Sequence, residues 1–154
     1  MSDANPTIRV QSQDFDLDGE VRALSAGRQD IGAVVTFSGL CRDEGATLSA
    51  LELEHYPGMA ETEMRRIAEL AIARFHLIGL TAIHRFGKIA PGENIVLVIA
   101  AAPHRQAAFD GANFMMDYLK TSAPFWKKEH LRDGSSGAWV AAKDADDKAR
   151  EKWL

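Results

Sequence analysis

The sequence predicts a single α+β layered domain, with two long helices on one face of a mixed, mostly antiparallel sheet. Residues 59–75 and 105–120 carry apolar side chains three or four positions apart, which is the spacing of one buried helix face. Residues 94–102 are almost continuously apolar, as expected of a strand that is buried on both faces. Strand-like segments precede, separate and follow the helices, and this order favours a layered α+β arrangement. The length of 154 residues is typical of one domain, which we predict to span residues 1–154.

The first part of the chain predicts a short strand and a short helix. Residues 1–5 are expected to be a loose end, and residues 7–10 alternate weakly, as in a strand. Residues 16–26 have apolar side chains at helical spacing, with Asp16 as the candidate N-cap and Gly27 as a stop signal.

Three further segments predict strands. Residues 31–40 are rich in β-branched and aromatic side chains, and residues 48–55 alternate in the manner of a half-buried strand. Residues 80–89 are strand-like and are interrupted by Gly87. Residues 41–47 are polar and predict a loop.

After the second long helix, no residue range is assigned to a strand. Pro124 constrains the backbone there, and we expect Phe125 and Trp126 to be buried and to anchor the segment. Residues 143–154 are charged and weakly helical, and we expect them to form a loose tail.

The composition argues against several classes of protein. A net charge of −4 and a pI near 5.7 disfavour a general nucleic-acid coat, which needs a basic excess. The single cysteine, Cys41, excludes an internal disulfide framework and a multi-cysteine zinc site. Residues 1–10 lack the pattern of a signal peptide, and no stretch approaches the ~18 apolar residues of a membrane span. We therefore expect a soluble cytoplasmic protein.

The histidines do not predict a metal site. None forms an i,i+4 pair or belongs to a C-x-x-C pattern, which are common spacings of zinc ligands. The dinucleotide and Walker-type glycine loops are absent as well. We predict no metal and no cofactor. The five histidines are His55, His76, His84, His104 and His130.

Cys41 allows two interpretations. It could be a nucleophile or a persulfide carrier, with Arg42 favouring its thiolate. It could also be a small, half-buried residue at the end of a strand. The second interpretation is favoured, because no general base is identifiable nearby.

His104 and Arg105 stand where a buried strand ends and the second long helix begins. The free N–H groups and the partial positive charge of a helix N-terminus form an anion site. Cations are unfavourable there unless a bound anion compensates them. A lone histidine at such a place is usually structural, but the presence of the pair makes phosphate binding an equally supported interpretation.

The lysines around Pro124 also allow two interpretations. Lys120 could simply stabilise the negative C-terminal end of its helix, with Asp117 as its neighbour. Lys127 and Lys128 could lie in a solvated turn. A lysine anchored beside apolar surface instead loses hydration and can serve acid–base chemistry. The residues alone do not decide between these interpretations.

Four segments in order resemble a known family, the large catalytic subunit of molybdopterin synthase, MoaE type. The resemblance covers about residues 31–140, and the lysine-bearing segment is the most specific of the four. The segments are EHYPGM at 54–59, IHRFGKIAPGE at 83–93, HRQAAF at 104–109 and MDYLKTSAPFWKKE at 116–129.

The resemblance implies an α/β-hammerhead fold and a homodimer of large subunits. Each large subunit is expected to bind a small ubiquitin-like sulfur carrier, which gives a heterotetramer. The implied reaction, a sulfurtransferase step of molybdenum cofactor biosynthesis, converts cyclic pyranopterin monophosphate to molybdopterin. Two sulfurs come from the thiocarboxylated C-terminal glycine of the small subunit. No metal is implied in the large subunit.

The resemblance also implies binding residues. Arg42 matches an arginine that helps to bind the pterin, and Leu40 and Cys41 belong to the same binding segment. His104 and Arg105 match a pair that grips the substrate. Pro103 departs from the small, less restrictive residue expected before this pair, and could shift it.

The implied catalytic residues are Lys120 and Lys127. Lys120 matches a lysine at the incoming glycine terminus, where proton transfer and charge stabilisation are its expected roles. Lys127 matches a lysine at the phosphate or the leaving oxygen, and Lys128 and Glu129 complete the binding segment. The alternative function is a noncatalytic module that binds an anionic metabolite or a partner's tail.

Overall fold

The computed structural model describes residues 4–141 and 144–154, so the predictions for residues 1–3 and 142–143 lie outside the described residues. The described part contains helices and strands in the order β1 (Thr7–Gln11), α1 (Leu17–Ser25), β2 (Ala33–Leu40), β3 (Leu48–His55), α2 (Met59–Phe75), β4 (Gly79–Arg85), β5 (Gly87–Ile89), β6 (Asn94–Ala102), α3 (Arg105–Thr121), β7 (Phe125–Leu131) and α4 (Asp144–Glu151).

The larger sheet has the strand order β1-β4-β6-β2. Only β1 and β4 run parallel, and the other two pairs are antiparallel, which confirms the predicted mixed, mostly antiparallel sheet. Strand β6 lies in its interior, and residues 96–102 are buried, as its apolar run predicts. Strand β2 forms one edge of this sheet.

The two long helices pack on one face of this sheet, as predicted. Met64 and Ile67 of α2 and Met115 of α3 join Leu80 and Val98 of the sheet in the main core cluster. Burying each such side chain contributes about 1.5–3 kcal/mol. The short helix α1 covers the opposite face, where the buried side chains are Phe15, Ile83, Leu97 and Ile99. Asp16 is the N-cap of α1 as predicted, without a side-chain capping bond.

A second, three-stranded antiparallel sheet has the order β5-β3-β7. Gly87 begins β5 with φ +91°, a left-handed conformation that glycine adopts without steric cost. The predicted break at Gly87 is therefore the point where the chain leaves the larger sheet for the smaller one.

Strand β7 lies in a segment to which the sequence analysis assigned no strand residues, and it corrects the interpretation of Lys127 and Lys128 as part of a solvated turn. Phe125–Leu131 pairs with β3 over its whole length. The paired residues of β3 lie 70 to 83 positions earlier in the chain, so no local pattern predicts the strand. Charged side chains are common on edge strands because they discourage further strand pairing. Phe125 and Trp126 are half-buried rather than fully buried.

The predicted loose tail is also corrected. From Asp144 the chain forms α4, and the Trp153 ring packs edge-on against Phe75 and Phe114 at 5.7 and 5.5 Å between centroids. The Trp153 indole N–H donates a hydrogen bond of 2.6 Å to Asp117 on α3. One aromatic side chain thus attaches a charged, weakly helical segment to the core.

Candidate active site

One end of the fold brings together Lys120, the end of β2 and strand β7. Helix α3 follows β6 and packs back along it, so its last turn returns towards the beginning of β6. Strand β2 ends at the same place, because Leu40 is the register partner of Asn94. Lys120 is exposed in this last turn. The turn after α3 then leads directly into β7.

Strand β7 directs its two lysines to opposite faces of the smaller sheet. Lys127 pairs with Leu53, and Lys128 pairs with Glu52. Because side chains alternate along a strand, Lys127 shares its face with Phe125, whereas Lys128 lies on the other face. There the Lys128 ammonium group stands 5.4 Å from the centre of the Trp139 ring.

Backbone hydrogen bonds hold the middle of β7 from both sides. Lys127 pairs with β3 on one side and with Val140 on the other. The Lys127 N–H donates to the Val140 carbonyl at 2.9 Å, and the Val140 N–H donates back at 2.8 Å. The backbone that carries Lys127 is therefore ordered, and the lysine does not lie in the solvated turn that was one of its two interpretations.

An aromatic stack lies beneath this end of α3. The His84 ring on β4 is nearly parallel to Phe125, with 3.7 Å between centroids and 16° between planes. His55, at the end of β3, stacks on Phe125 at 6.0 Å and contacts Phe86 at 4.6 Å. The Nδ1 atom of His55 is buried and has no hydrogen-bond partner within the described part of the chain.

The His84 imidazole is kept in its neutral form. Burial lowers the pKa of His84 to about 4. The electrostatic effects of Lys120 and His55 also lower this pKa. The hydrogen bond between Nδ1 and the Arg85 carbonyl, 2.8 Å long, works against this shift. Lys120 thus lies near enough to His84 for its charge to act on the imidazole.

Sequence reasoning missed the role of His55 and His84. Their motifs, EHYPGM and IHRFGKI, served only for the family resemblance, and their spacing was tested only for metal ligands. A histidine at the end of a strand predicts neither a stack nor a lowered pKa. A weak signal was available for His55, which stands directly before Tyr56 at the end of a predicted strand, whereas His84 lies inside a predicted strand, two residues before Phe86.

Residues 40–42 lie at the same end but differ in exposure. Leu40 is 51% exposed, and Cys41 is 4% exposed within a small cluster with Leu48, Leu53 and Ile89. Both backbone groups of Cys41 bond to the turn at 92–93. Its predicted contact with substrate stays a prediction.

The Cys41 thiol is held protonated. Burial raises the pKa of Cys41, the negative charges of Asp43, Glu93 and Glu129 raise it further, and a backbone hydrogen bond with Leu51 opposes them. Arg42 does not favour a thiolate, because its guanidinium pairs with Glu44 on the surface. These observations support the interpretation of Cys41 as a packed residue rather than a nucleophile.

The His104–Arg105 pair is well placed for an anion at the start of α3. Both side chains are exposed, and His104 is the N-cap in an extended conformation, φ −131° and ψ 153°. Pro103 fits here because it follows Ala102, which is already extended in β6. Gly32 allows the Pro103 carbonyl to approach closely, since a Cβ atom at residue 32 would collide with it.

The structure does not bring this pair to the lysines within one chain. Arg105 and Lys120 stand at opposite ends of α3, and 15 residues of helix span about 22 Å. The predicted site residues therefore form two groups. One contains the pair His104 and Arg105. The other contains Leu40, Cys41, Arg42, Lys120, Lys127, Lys128 and Glu129, with Lys128 on the opposite face of β7 from Lys127.

Residues 4–141 and 144–154 contain neither a cluster of metal ligands nor a membrane-spanning helix. In that part of the chain, no three His, Cys, Asp or Glu side chains are grouped so that they could hold a metal ion. None of the helices described is both long and apolar enough to cross a membrane.

Comparisons with known proteins agree on one family. The model of the MoaE protein family matches residues 10–122. The molybdopterin synthase catalytic subunit of Rhizobium meliloti (strain 1021) is 71% identical over 147 residues, which cover 96% of this chain and 95% of that protein.

Solved structures lead to the same family. The molybdopterin biosynthesis MoaE protein from Burkholderia ambifaria MC40-6 superposes with a TM-score of 0.84 at 47% identity, covering 96% of this chain and 97% of that one. Molybdopterin synthase from Staphylococcus aureus superposes with a TM-score of 0.75 at 25% identity, covering 92% and 98%. With this sequence and this fold, the chain belongs to the MoaE family, the family of molybdopterin synthase catalytic subunits.

Proposed function

We propose that this protein is the catalytic subunit of molybdopterin synthase and acts as a sulfurtransferase in molybdenum cofactor biosynthesis. It converts cyclic pyranopterin monophosphate to molybdopterin with two sulfurs from the thiocarboxylated C-terminus of a small sulfur-carrier subunit. The observation that carries the proposal is the placement of Lys120 and Lys127 at one end of the fold, in a chain 71% identical to a named catalytic subunit.

The two lysines suit the charges of this reaction. The pterin substrate carries a phosphate and the sulfur donor is an anionic thiocarboxylate, so cations are needed on both. Lys120, exposed at the end of α3, is open to an incoming C-terminal tail. We assign it proton transfer and charge stabilisation, and we assign Lys127 the phosphate or the leaving oxygen.

A second copy of the chain would reunite the two groups of predicted residues. The His104–Arg105 pair is about 22 Å from Lys120 along α3, too far for one small substrate to touch both ends in the same chain. In a two-fold dimer, the start of α3 from one copy can face the end of α3 from the other. Exposed apolar side chains on edge strand β2 and near the start of α3 offer a contact surface, namely Val34, Phe37, Leu40 and Phe109.

The first experiment measures dithiolene formation by Lys120→Ala. Purified protein is mixed with thiocarboxylated small subunit and cyclic pyranopterin monophosphate, and molybdopterin is quantified. Because a positioned acid or base contributes about 10²–10⁴-fold, we expect the rate to fall by at least about 10²-fold while substrate still binds. Lys88→Ala, which removes an exposed lysine from β5, is the matched control and should keep its rate.

The alternative function, a noncatalytic module for an anionic metabolite or a partner's tail, predicts a different result. A binding module would form the complex with the small subunit, yet the wild-type protein would make no molybdopterin. In that case Lys120→Ala would change affinity alone, and the proposed enzyme activity would be refuted.

A further inference from the structure

His84 occupies the junction between the two sheets, where its ring stacks on Phe125 of β7 and lies near enough to Lys120 to feel its charge. On β4 it shares a face with Leu80 and Ala82, which pack in the core against α2 and α3. On the side away from the core, the His84 ring contacts Phe125, the first residue of β7. The side chain therefore lies where the larger sheet, the end of α3 and the start of β7 meet.

The contact between His84 and Phe125 connects this junction to Lys127. The rings are parallel at 3.7 Å, and Phe125 shares its face of β7 with Lys127 two residues later. His55 adds a second ring to Phe125 from the neighbouring strand β3. Since His55 Nδ1 has no hydrogen-bond partner among the described residues, ring packing is its contribution to the stack.

The imidazole of His84 has two properties suited to this place. Its Nδ1–H donates to the Arg85 carbonyl at 2.8 Å, which fixes the plane of the ring where the chain leaves β4. The ring also adds no charge beside Lys120 at neutral pH, because its pKa is about 4. The groups that face it are Lys120 from α3, His55 from β3 and the Arg85 carbonyl from its own strand.

We propose that His84 is a positioning residue for the sulfur-transfer site, which supports Phe125 by ring stacking and thereby holds the strand of Lys127 beneath the end of α3. It acts through Phe125, and substrate does not have to touch it. The inference rests on the proposed function for its kinetic consequence, whereas its structural consequence can be measured without any reaction.

The test compares wild type, His84→Ala and His84→Phe in the complex with the small subunit. An aromatic pair contributes about 0.5–1.5 kcal/mol, so we expect His84→Ala to speed hydrogen exchange of the Lys127 amide about threefold to tenfold. We expect kcat for molybdopterin formation to fall at least as much, with little change in KM. His84→Phe keeps a flat ring and should restore most of both quantities.

Two results would overturn the inference. In one, His84→Ala keeps both the exchange rate of the Lys127 amide and kcat within about twofold of wild type, a change smaller than the loss of one stacked ring. In the other, His84→Phe is no better than His84→Ala. If the wild type forms no molybdopterin, the proposed function fails, and the exchange measurement alone still decides whether His84 supports the strand.

Exposed His76 provides the control for loss of an imidazole. His76 is the C-cap of α2 in a left-handed conformation, which asparagine tolerates, so His76→Asn should leave both quantities unchanged. Thermal unfolding of every variant identifies general loss of the fold. If His84→Ala does not fold, His84→Leu takes its place in the comparison with His84→Phe. Leucine fills the space but cannot stack as a flat ring.

Discussion

Two titratable side chains of the candidate site are held in forms that preserve its positive charge. Burial raises the pKa of the Cys41 thiol, so no thiolate forms to neutralise a lysine. Burial lowers the pKa of His84, so no imidazolium forms to repel Lys120. At the scale of single residues, the site therefore owes its charge to its lysines and not to its cysteine or its half-buried histidine.

The lowered pKa of His84 predicts a loss of stability in acid. The unfolded chain takes up a proton near pH 6.5 and the folded chain only near pH 4, so protonation favours the unfolded state between these values. The free energy of unfolding is unaffected above pH 6.5 and falls as the pH drops towards 4. The contribution of His84 reaches at most about 3 kcal/mol, less where water screens the half-buried ring.

Urea unfolding of wild type and His84→Phe between pH 7.5 and 4.5 measures this contribution. Phenylalanine cannot be protonated, so the stability difference between the two proteins should shift in favour of the variant as the pH falls. A difference that stays constant across this range would show that His84 titrates normally in the folded protein.

At the scale of helices and strands, α4 and the residues directly after it brace the last turns of α3. Trp153 contacts Phe75 and Phe114, its indole bonds to Asp117, and the Arg74 guanidinium donates to its carbonyl at 2.7 Å. The Lys152 ammonium adds an ion pair with Asp117 at 3.1 Å. Asp117 lies within one turn of Lys120, so the residues that follow α4 stabilise the part of α3 that carries this lysine.

Trp153→Ala should destabilise the protein by about 2–4 kcal/mol, because it removes a large aromatic side chain that is half-buried. Trp153→Phe should cost about 1 kcal/mol, since it keeps most of the packing and loses the hydrogen bond to Asp117. Urea unfolding at pH 7.5 measures both changes. Leu154→Ala is the control, because Leu154 is 89% exposed. Equal stability of Trp153→Ala and Leu154→Ala would disprove the brace.

At the scale of the whole molecule, the two ends of α3 carry different parts of the predicted chemistry. The pair His104–Arg105 and Lys120 are separated along one rigid helix that no side-chain motion can shorten. A site that needs both ends must therefore take them from two chains.

Mixing Arg105→Ala with Lys120→Ala tests this arrangement. If each site takes the start of α3 from one copy and its end from the other, a mixed dimer holds one intact site and one site with both defects. After unfolding and refolding together, the mixture should recover about a quarter of the wild-type molybdopterin synthase activity, because random pairing makes half of the dimers mixed. Each variant refolded alone serves as the control. A mixture as inactive as its components would mean that one chain supplies both groups of residues.

The sequence by itself determined the elements whose signals are local. Helices α2 and α3 and strand β6 begin and end at or within one residue of their predicted positions, because apolar periodicity directly reports which side of an element is buried. The break at Gly87 and the start of α3 after His104 were equally visible. The motifs also placed the chain in its family, which the comparisons confirm.

Only the tertiary structure decided what depends on partners distant in the chain. Strand β7 forms because β3 pairs with it, and α4 is held by the contacts that Trp153 makes with α2 and α3. Pairing with β3 also places Lys127 and Lys128 on opposite faces of the smaller sheet. Where β4 approaches β7, the neutral His84 ring stacks on Phe125. Such features depend on contacts between residues about 40 to 80 positions apart. A local sequence pattern does not contain this information, because the same residues would be exposed to solvent if their distant partners lay elsewhere.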